Sequence, residues 1–167
     1  MLFRSAHLPE GDPVRPYAAR LAGPELAGAP LRGYLTGSID AVLRCPGPAG
    51  RVRYLVVDYK TNRLSPPDAQ PSAWHYRPAA LAPAMLAADY PLQALLYTVA
   101  LHRYLTWRQP AYDPAEHLGG TLYLFLRGMC GPGTPSDPNG GVPGVFAWRP
   151  PVGLVLATSA LLAGVAP

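Results

Sequence analysis

Prolines and glycines limit the length of every regular element in this chain. The 167 residues include 22 prolines and 17 glycines, and both residue types interrupt helices and strands. Residues 1–30 show no periodicity, so we expect an irregular segment that is the remnant of a longer chain. The prolines that break it are Pro9, Pro13, Pro16, Pro24 and Pro30. One domain is predicted over residues 31–167, long enough to bury a core.

A β-hairpin is predicted at the start of this domain. The stretch LRGYLTGSIDAVLR, from Leu31, has the β-branched and aromatic residues of a strand, with Gly33 and Gly37 as bend or bulge points. CPGPAG follows as a turn, and RVRYLVVDYKTN predicts the second strand. Residues 65–88 are broken by prolines and then rich in alanine, which favours a loop and a short helix.

The second half of the domain predicts a helix, two strands and a final helix. Asp89 suits an N-cap, and LQALLYTVALHRYL has helical periodicity. GGTLYLFLRG is apolar on both faces over residues 121–126, as in a strand covered on both sides. A Gly/Pro-rich loop at 131–144 precedes the short strand GVFAW. We therefore predict a mixed α/β fold with one central sheet. The predicted stripe of the first helix comprises Leu92, Leu95, Leu96 and Val99.

The last apolar stretch, residues 152–166, is too short for a membrane span and is expected to be a buried or docking helix.

The formal net charge of +4 suits an anionic partner such as nucleic acid. Cys45 and Cys130 form no C-x-x-C motif, so neither a disulfide framework nor a structural zinc site is expected. We expect a cytoplasmic protein, because no signal peptide precedes the domain.

Asp58 and Lys60 are the first candidates for chemistry. They are two residues apart on a predicted strand and therefore point to the same face. A surface salt bridge is one interpretation. Asp40, at the end of the preceding strand, suggests a second interpretation, a magnesium site. Mg²⁺ takes one or two carboxylates together with waters and phosphate oxygens. A hairpin centred on CPGPAG, however, pairs Asp58 with Gly37. A bulge or strand twist is then needed to bring Asp40 close.

Gln93 and Tyr97 share one face of the predicted helix, because they are four residues apart. Taken alone, they are better interpreted as a solvated glutamine and a half-buried core tyrosine. Four segments in this order, GYLTGSID, VVDYKTN, LQALLYTVALHRYL and GGTLYLFLRG, resemble the C-terminal nuclease domain of the RecB family. This family belongs to the PD-(D/E)xK superfamily, so the resemblance implies a restriction-endonuclease-like central mixed sheet flanked by helices.

The resemblance also implies a Mg²⁺-dependent exonuclease that hydrolyses DNA phosphodiesters in double-strand break repair and recombination. Asp40 and Asp58 match the acidic metal ligands, together with the backbone carbonyl of Tyr59, and Lys60 matches the motif lysine. Gln93 and Tyr97 match the Q-x-x-x-Y motif that orients the site and the DNA. One or two ions are implied, with Mn²⁺ or Ca²⁺ able to substitute for binding. Implied partners are DNA, RecC-like and RecD-like subunits, and RecA, in a bacterial cytoplasm.

The chain departs from the family in one respect and leaves two alternatives open. The family has a further histidine ligand on a helix upstream of the first aspartate, whereas His7 is the sole histidine before Asp40. We therefore expect this helix to be missing. One alternative is an AddAB-type or stand-alone nuclease, although two cysteines cannot hold the four-cysteine iron–sulfur cluster of many such enzymes. The other is a non-catalytic module that docks on partner subunits or RecA. His75, His102 and His117 are expected to have surface or packing roles.

Overall fold

The computed structural model describes residues 7–21, 36–134 and 141–164. Four strands form one sheet in the order β1-β2-β3-β4: Ala41–Pro46, Val52–Lys60, Leu118–Phe125 and Val145–Trp148. The outer pairs are antiparallel, whereas β2 and β3 are parallel. The predicted mixed α/β fold with flanking helices is therefore confirmed, and it agrees with a restriction-endonuclease-like fold.

Five helices accompany the sheet within the described ranges. They are α1 (Arg15–Leu21), α2 (Pro78–Ala87), α3 (Tyr90–Arg108), α4 (Pro114–His117) and α5 (Val152–Leu162). The parallel pairing of β2 and β3 requires a long crossover connection, and α2, α3 and α4 provide it. Short 3₁₀ turns occur at Pro48–Gly50, Ala73–Tyr76, Leu126–Gly128 and Gly131–Gly133.

The register of the hairpin differs from the prediction. The turn runs from Gly47, whose N–H bonds to the Arg51 carbonyl, and Gly50 takes a positive φ of 74° within it. This turn is centred later than the middle of CPGPAG, so Ala41 pairs with Val57. The expected pairing of Asp58 with Gly37 is therefore wrong. No bulge is needed either, because the ladder from Ala41 to Pro46 is regular.

The predicted first strand is also shorter than its sequence suggested. β1 begins at Ala41, and residues 36–40 take no part in the ladder. The expectations for Leu31 and Gly33, and for part of the 131–144 loop, lie outside the described residues.

Helix α3 covers the sheet with one apolar face. Leu95 and Val99 of the predicted stripe are buried, whereas Leu92 and Leu96 are partly exposed. This face packs against Val56, Tyr123 and Phe125 in the same core cluster. Helix α5 contacts α3 and buries Leu154, Val155 and Thr158, whereas Leu156 and Leu161 are exposed. The expected final helix is therefore present over Val152–Leu162, but only one of its faces is buried. The buried residues of α3 are Pro91, Ala94, Leu95, Thr98, Val99, Leu101 and Leu105.

No single described helix is both long enough and apolar enough to cross a membrane. Helices α2 and α3 together reach that length and composition, but they meet at an angle of 83°.

Cys45 and Cys130 are both free thiols, so they form no disulfide with each other.

Helix α1 corrects the expectation that the first 30 residues are irregular. Tyr17 is fully buried in the core, and its hydroxyl donates to Asp89 Oδ1 at 2.9 Å. Arg20 forms an ion pair with the same carboxylate and donates to the Leu86 carbonyl at 2.8 Å. Asp89 occupies the predicted N-cap position of α3, but its side chain makes no capping bond and instead holds α1. The domain boundary at residue 30 stays a prediction, because residues 22–35 lie outside the described ranges.

We predict that α1 is part of the cooperative fold. Tyr17→Ala should lower the free energy of unfolding by about 3–4 kcal/mol, because it leaves a cavity and removes the bond to Asp89. Urea denaturation measures the change. Arg15→Ala is the control, because the exposed Arg15–Glu10 ion pair should contribute less than about 1 kcal/mol. Equal unfolding midpoints for the two variants would contradict the packing of α1.

Candidate active site

The end of strand β2 places a carboxylate and an ammonium side by side. Lys60 Nζ lies 2.6 Å from Asp58 Oδ2. The pair is not a surface salt bridge, because only 12% of the Lys60 side chain and 5% of the Asp58 side chain are exposed. The prediction that Asp58 and Lys60 share one face of the strand is therefore correct, and this face points towards the protein interior. Burial makes each charge dependent on its neighbours.

Asp40 comes to the same end of the sheet from the neighbouring strand. It directly precedes Ala41, and Asp58 directly follows Val57, the partner of Ala41. Asp40 Oδ2 accepts a hydrogen bond from the Tyr59 backbone N–H at 2.9 Å, which ties this carboxylate to β2. Asp40 is exposed and Asp58 is buried, so the acidic pair extends from the core to solvent.

Helix α3 contributes Gln93 and Tyr97 to this end of the sheet. Lys60 Nζ donates to Gln93 Oε1 at 2.9 Å, and Gln93 Nε2 donates to the Tyr97 hydroxyl at 3.0 Å. The Tyr97 hydroxyl in turn donates to the Ser38 carbonyl at 2.5 Å. Ser38 lies two residues before Asp40. A continuous chain of hydrogen bonds therefore leads from the lysine to the segment that carries the first aspartate.

Two tyrosines that the sequence analysis did not single out enclose the lysine. Lys60 Nζ lies 3.9 Å from the ring centroid of Tyr90 and 5.2 Å from that of Tyr123, in cation–π geometry. The Tyr123 hydroxyl also donates to Gln93 Oε1 at 3.1 Å. Tyr123 faces the site because β2 pairs Asp58 with it across the parallel ladder. Tyr123 can be assigned to the site only from the register of β2 against β3. This register cannot be inferred from the sequence alone.

The electrostatics of the site concentrate on Asp58. Burial raises the pKa of this carboxyl, the nearby Lys60 ammonium lowers it, and the charge of Asp40 raises it again. Despite the short distance to Lys60, no group in the described part of the chain donates a well-aligned hydrogen bond to Asp58 Oδ2. A buried carboxylate oxygen that faces a poorly aligned ammonium can also accept a metal cation.

The donor set fits a hard divalent cation. Asp40 and Asp58 offer carboxylate oxygens, and the Tyr59 carbonyl belongs to the residue between Asp58 and Lys60. Mg²⁺ binds such oxygens and keeps several waters, which the exposed side of the site can accommodate. The described residues contain no group of three or more histidine, cysteine, aspartate or glutamate side chains that could bind a metal.

The histidines within the described ranges have other surroundings. His7 Nδ1 lies beside Gly153 at the start of α5, so it does not join the two aspartates. The other three histidines have the local roles that the sequence analysis expected. His75 contacts Ser72, His102 contacts Tyr112, and His117 contacts Asp113.

We predict a strong energetic coupling between Asp58 and Lys60. Without divalent metal, Asp58→Ala should lower the free energy of unfolding by about 3 kcal/mol, because it leaves the buried ammonium uncompensated. Adding Lys60→Met should restore much of this loss, because no buried charge then remains. Chemical denaturation of the parent, the two single variants and the double variant in EDTA completes the cycle. Additive losses in the double variant would show that the two residues are not coupled.

The sequence of this chain is similar to those of known proteins. No family model matches the chain. The RecBCD enzyme subunit RecB of Mycobacterium tuberculosis strain H37Rv is 58% identical over 158 residues, which is 95% of this chain. The same subunit of Mycolicibacterium smegmatis is 55% identical over 161 residues, or 96% of the chain, and that of Escherichia coli is 39% identical over 152 residues, or 90%.

The matches are extensive for this chain but cover a small part of each relative. The chain spans 14% of the length of the two mycobacterial subunits and 11% of the Escherichia coli subunit. Identity at this level over nearly the whole chain establishes homology for the matched segment. Over that segment, the chain belongs to the RecB family.

Proposed function

We propose that this chain carries a divalent-metal-dependent DNA nuclease domain of RecB type, which hydrolyses phosphodiesters in double-strand break repair and recombination. The observation that carries the proposal is the convergence of Asp40, Asp58 and Lys60 at the ends of β1 and β2. The relatives that match are named as RecB subunits of a RecBCD enzyme, so RecC-like and RecD-like subunits are the proposed protein partners.

Asp40, Asp58 and the Tyr59 carbonyl would hold the metal, which we propose to be Mg²⁺. When bound, such an ion lowers the pKa of a coordinated water and neutralises charge on a phosphate. The buried Asp58 carboxylate supports this assignment, since a divalent cation there would add to the compensation that Lys60 already provides. The exposed Asp40 leaves one side of the pair accessible to DNA.

Lys60 supplies the fixed positive charge of the site. Asp58, Gln93 and the Tyr90 ring restrict its ammonium from three directions. A preorganised ammonium stabilises negative charge that develops in the transition state, and it needs no reorganisation to do so. It also lies beside the carboxylates, where it can donate a hydrogen bond to an attacking water.

Gln93 and Tyr97 position the lysine and the Asp40 segment relative to each other. Gln93 Oε1 accepts bonds from both Lys60 and Tyr123, which directs the amide nitrogen towards Tyr97. Tyr97 then binds the backbone at Ser38. The helix thereby holds the two acidic strands in one arrangement.

We predict that the two aspartates bind a divalent cation. Isothermal calorimetry with Mg²⁺ and Mn²⁺ should detect binding to the parent chain. Asp40→Ala and Asp58→Ala should each weaken the affinity by at least about tenfold, since even an outer-shell partner of a metal site contributes that much. The control is Asp68→Ala, an exposed aspartate on the loop after β2. Absence of binding at millimolar metal would favour the non-catalytic docking alternative.

We predict that Asp58 and Lys60 are required for DNA cleavage. Asp58→Ala and Lys60→Ala should each lower the rate of Mg²⁺-dependent cleavage of linear DNA by about 100-fold or more, because each removes charge stabilisation from the reaction. Asp68→Ala should cleave at the parent rate. Gel analysis of end-labelled DNA measures the rates. Equal cleavage by the parent and the two site variants would show that the site is assigned wrongly.

A further inference from the structure

Three arginines without a carboxylate partner lie in the segments that follow β2 and β3. Within the described ranges, Arg63, Arg77 and Arg127 form no ion pair with an aspartate or glutamate. They instead donate hydrogen bonds to backbone carbonyls, which orient the side chains but leave their charge uncompensated. Arg127 Nε bonds to the carbonyl of Thr61, the residue after Lys60, at 2.8 Å. Positive charge therefore lies next to the acidic site.

An exposed tryptophan accompanies these arginines. Trp74 is 67% exposed, although its 3₁₀ turn is anchored in the core. The Arg77 guanidinium carbon lies 4.3 Å from the centroid of the Trp74 ring, and Arg77 Nη1 donates to the Trp74 carbonyl at 2.8 Å. The indole and the guanidinium are thus held together as one unit on the surface.

The turn that carries Trp74 is connected to the candidate active site. The hydroxyl of the buried Tyr76 donates to the Asn62 carbonyl at 2.9 Å, two residues beyond Lys60. The Asn62 side chain accepts a hydrogen bond from the Tyr90 hydroxyl at 3.1 Å, and the Tyr90 ring contacts the Lys60 ammonium. Gly128 fits closely against Tyr76, where an added Cβ would come within 2.3 Å of Tyr76 Cβ. Trp74 is therefore carried by a turn that is packed against Gly128 and linked to the site through hydrogen bonds.

We propose that Trp74, Arg77 and Arg127 form a binding platform for single-stranded DNA that leads into the active site. An exposed indole offers a flat surface for an unpaired base, and the neighbouring guanidinium groups neutralise the phosphates on either side of it. Paired bases in a duplex are already stacked and cannot use the indole. This inference rests on the proposed nuclease function and specifies the form of DNA strand that the site receives.

The far end of α3 provides a matched control surface. Trp107 is 75% exposed, and the Arg108 guanidinium carbon lies 4.8 Å from its ring centroid. This pair has the same chemistry as Trp74 and Arg77. It is, however, about 20 Å along the helix from Gln93, at 1.5 Å per residue. A general affinity of exposed tryptophan–arginine pairs for DNA would affect both surfaces equally.

The test is equilibrium binding of a fluorescein-labelled oligodeoxythymidine of about 12 nucleotides, within the usual range of such sites. Fluorescence anisotropy in EDTA separates binding from cleavage. Trp74→Ala should weaken binding at least about fivefold, whereas Trp74→Phe and Trp107→Ala should bind like the parent chain. Arg127→Ala should reduce the salt dependence of log K by about 0.7. For a blunt duplex, Trp74→Ala should leave the affinity unchanged.

Several outcomes would overturn the platform. They are parent-like binding by Trp74→Ala, equal losses for Trp74→Ala and Trp107→Ala, or an equal loss for the duplex. Trp74-dependent binding of a polyglutamate peptide in place of the oligonucleotide would assign the surface to an acidic protein partner instead. The Asp58→Ala cleavage assay keeps the two proposals apart. If Trp74→Ala binds the strand like the parent chain while the parent shows Asp58-dependent cleavage with Mg²⁺, the platform alone is overturned. If Trp74→Ala loses strand binding but the parent chain does not cleave DNA, the nuclease function alone is overturned.

Discussion

The buried ammonium of Lys60 is the interaction on which the candidate site depends. A positive charge that is largely removed from water needs compensation, and in this protein it comes from three side chains on two elements, β2 and α3. Asp58 on the same strand, Gln93 on α3 and the ring of Tyr90 at the start of α3 all contact it. Placing this charge therefore requires β2 and α3 to be in one relative position. The same requirement brings Tyr97 to the segment that carries Asp40.

The topology explains why these groups meet at one end of the sheet. β1 and β2 form an antiparallel hairpin, so the residue before β1 and the last residues of β2 lie together. The parallel crossover to β3 passes through α3, whose first turns start at that same end. The segments that follow β2 and β3 also begin there, and they carry Trp74 and the uncompensated arginines. Two acidic side chains, a buried lysine and a basic aromatic surface are thus neighbours as a result of strand direction.

Much of the site was predictable from local pattern, and the errors have identifiable physical causes. The two-residue period of β2 placed Asp58 and Lys60 on one face, and the four-residue spacing in α3 did the same for Gln93 and Tyr97. The hairpin register was wrong because a Pro/Gly-rich turn allows more than one centre, and each shift of the centre displaces the partner strand. Helix α1 was missed because its stability comes from the burial of Tyr17 and from Asp89, a residue far along the chain.

The sequence by itself determined most of the element types, the shared face of Asp58 and Lys60 on β2 and the family of the matched segment, because these depend on local periodicity and on motif order. Only the tertiary structure decided that Asp58 and Lys60 are buried rather than a surface pair, and that Asp40 reaches them without a bulge. It also revealed Tyr90 and Tyr123 around the lysine. Burial, register and ring contacts arise between residues distant along the chain, so no local pattern contains them.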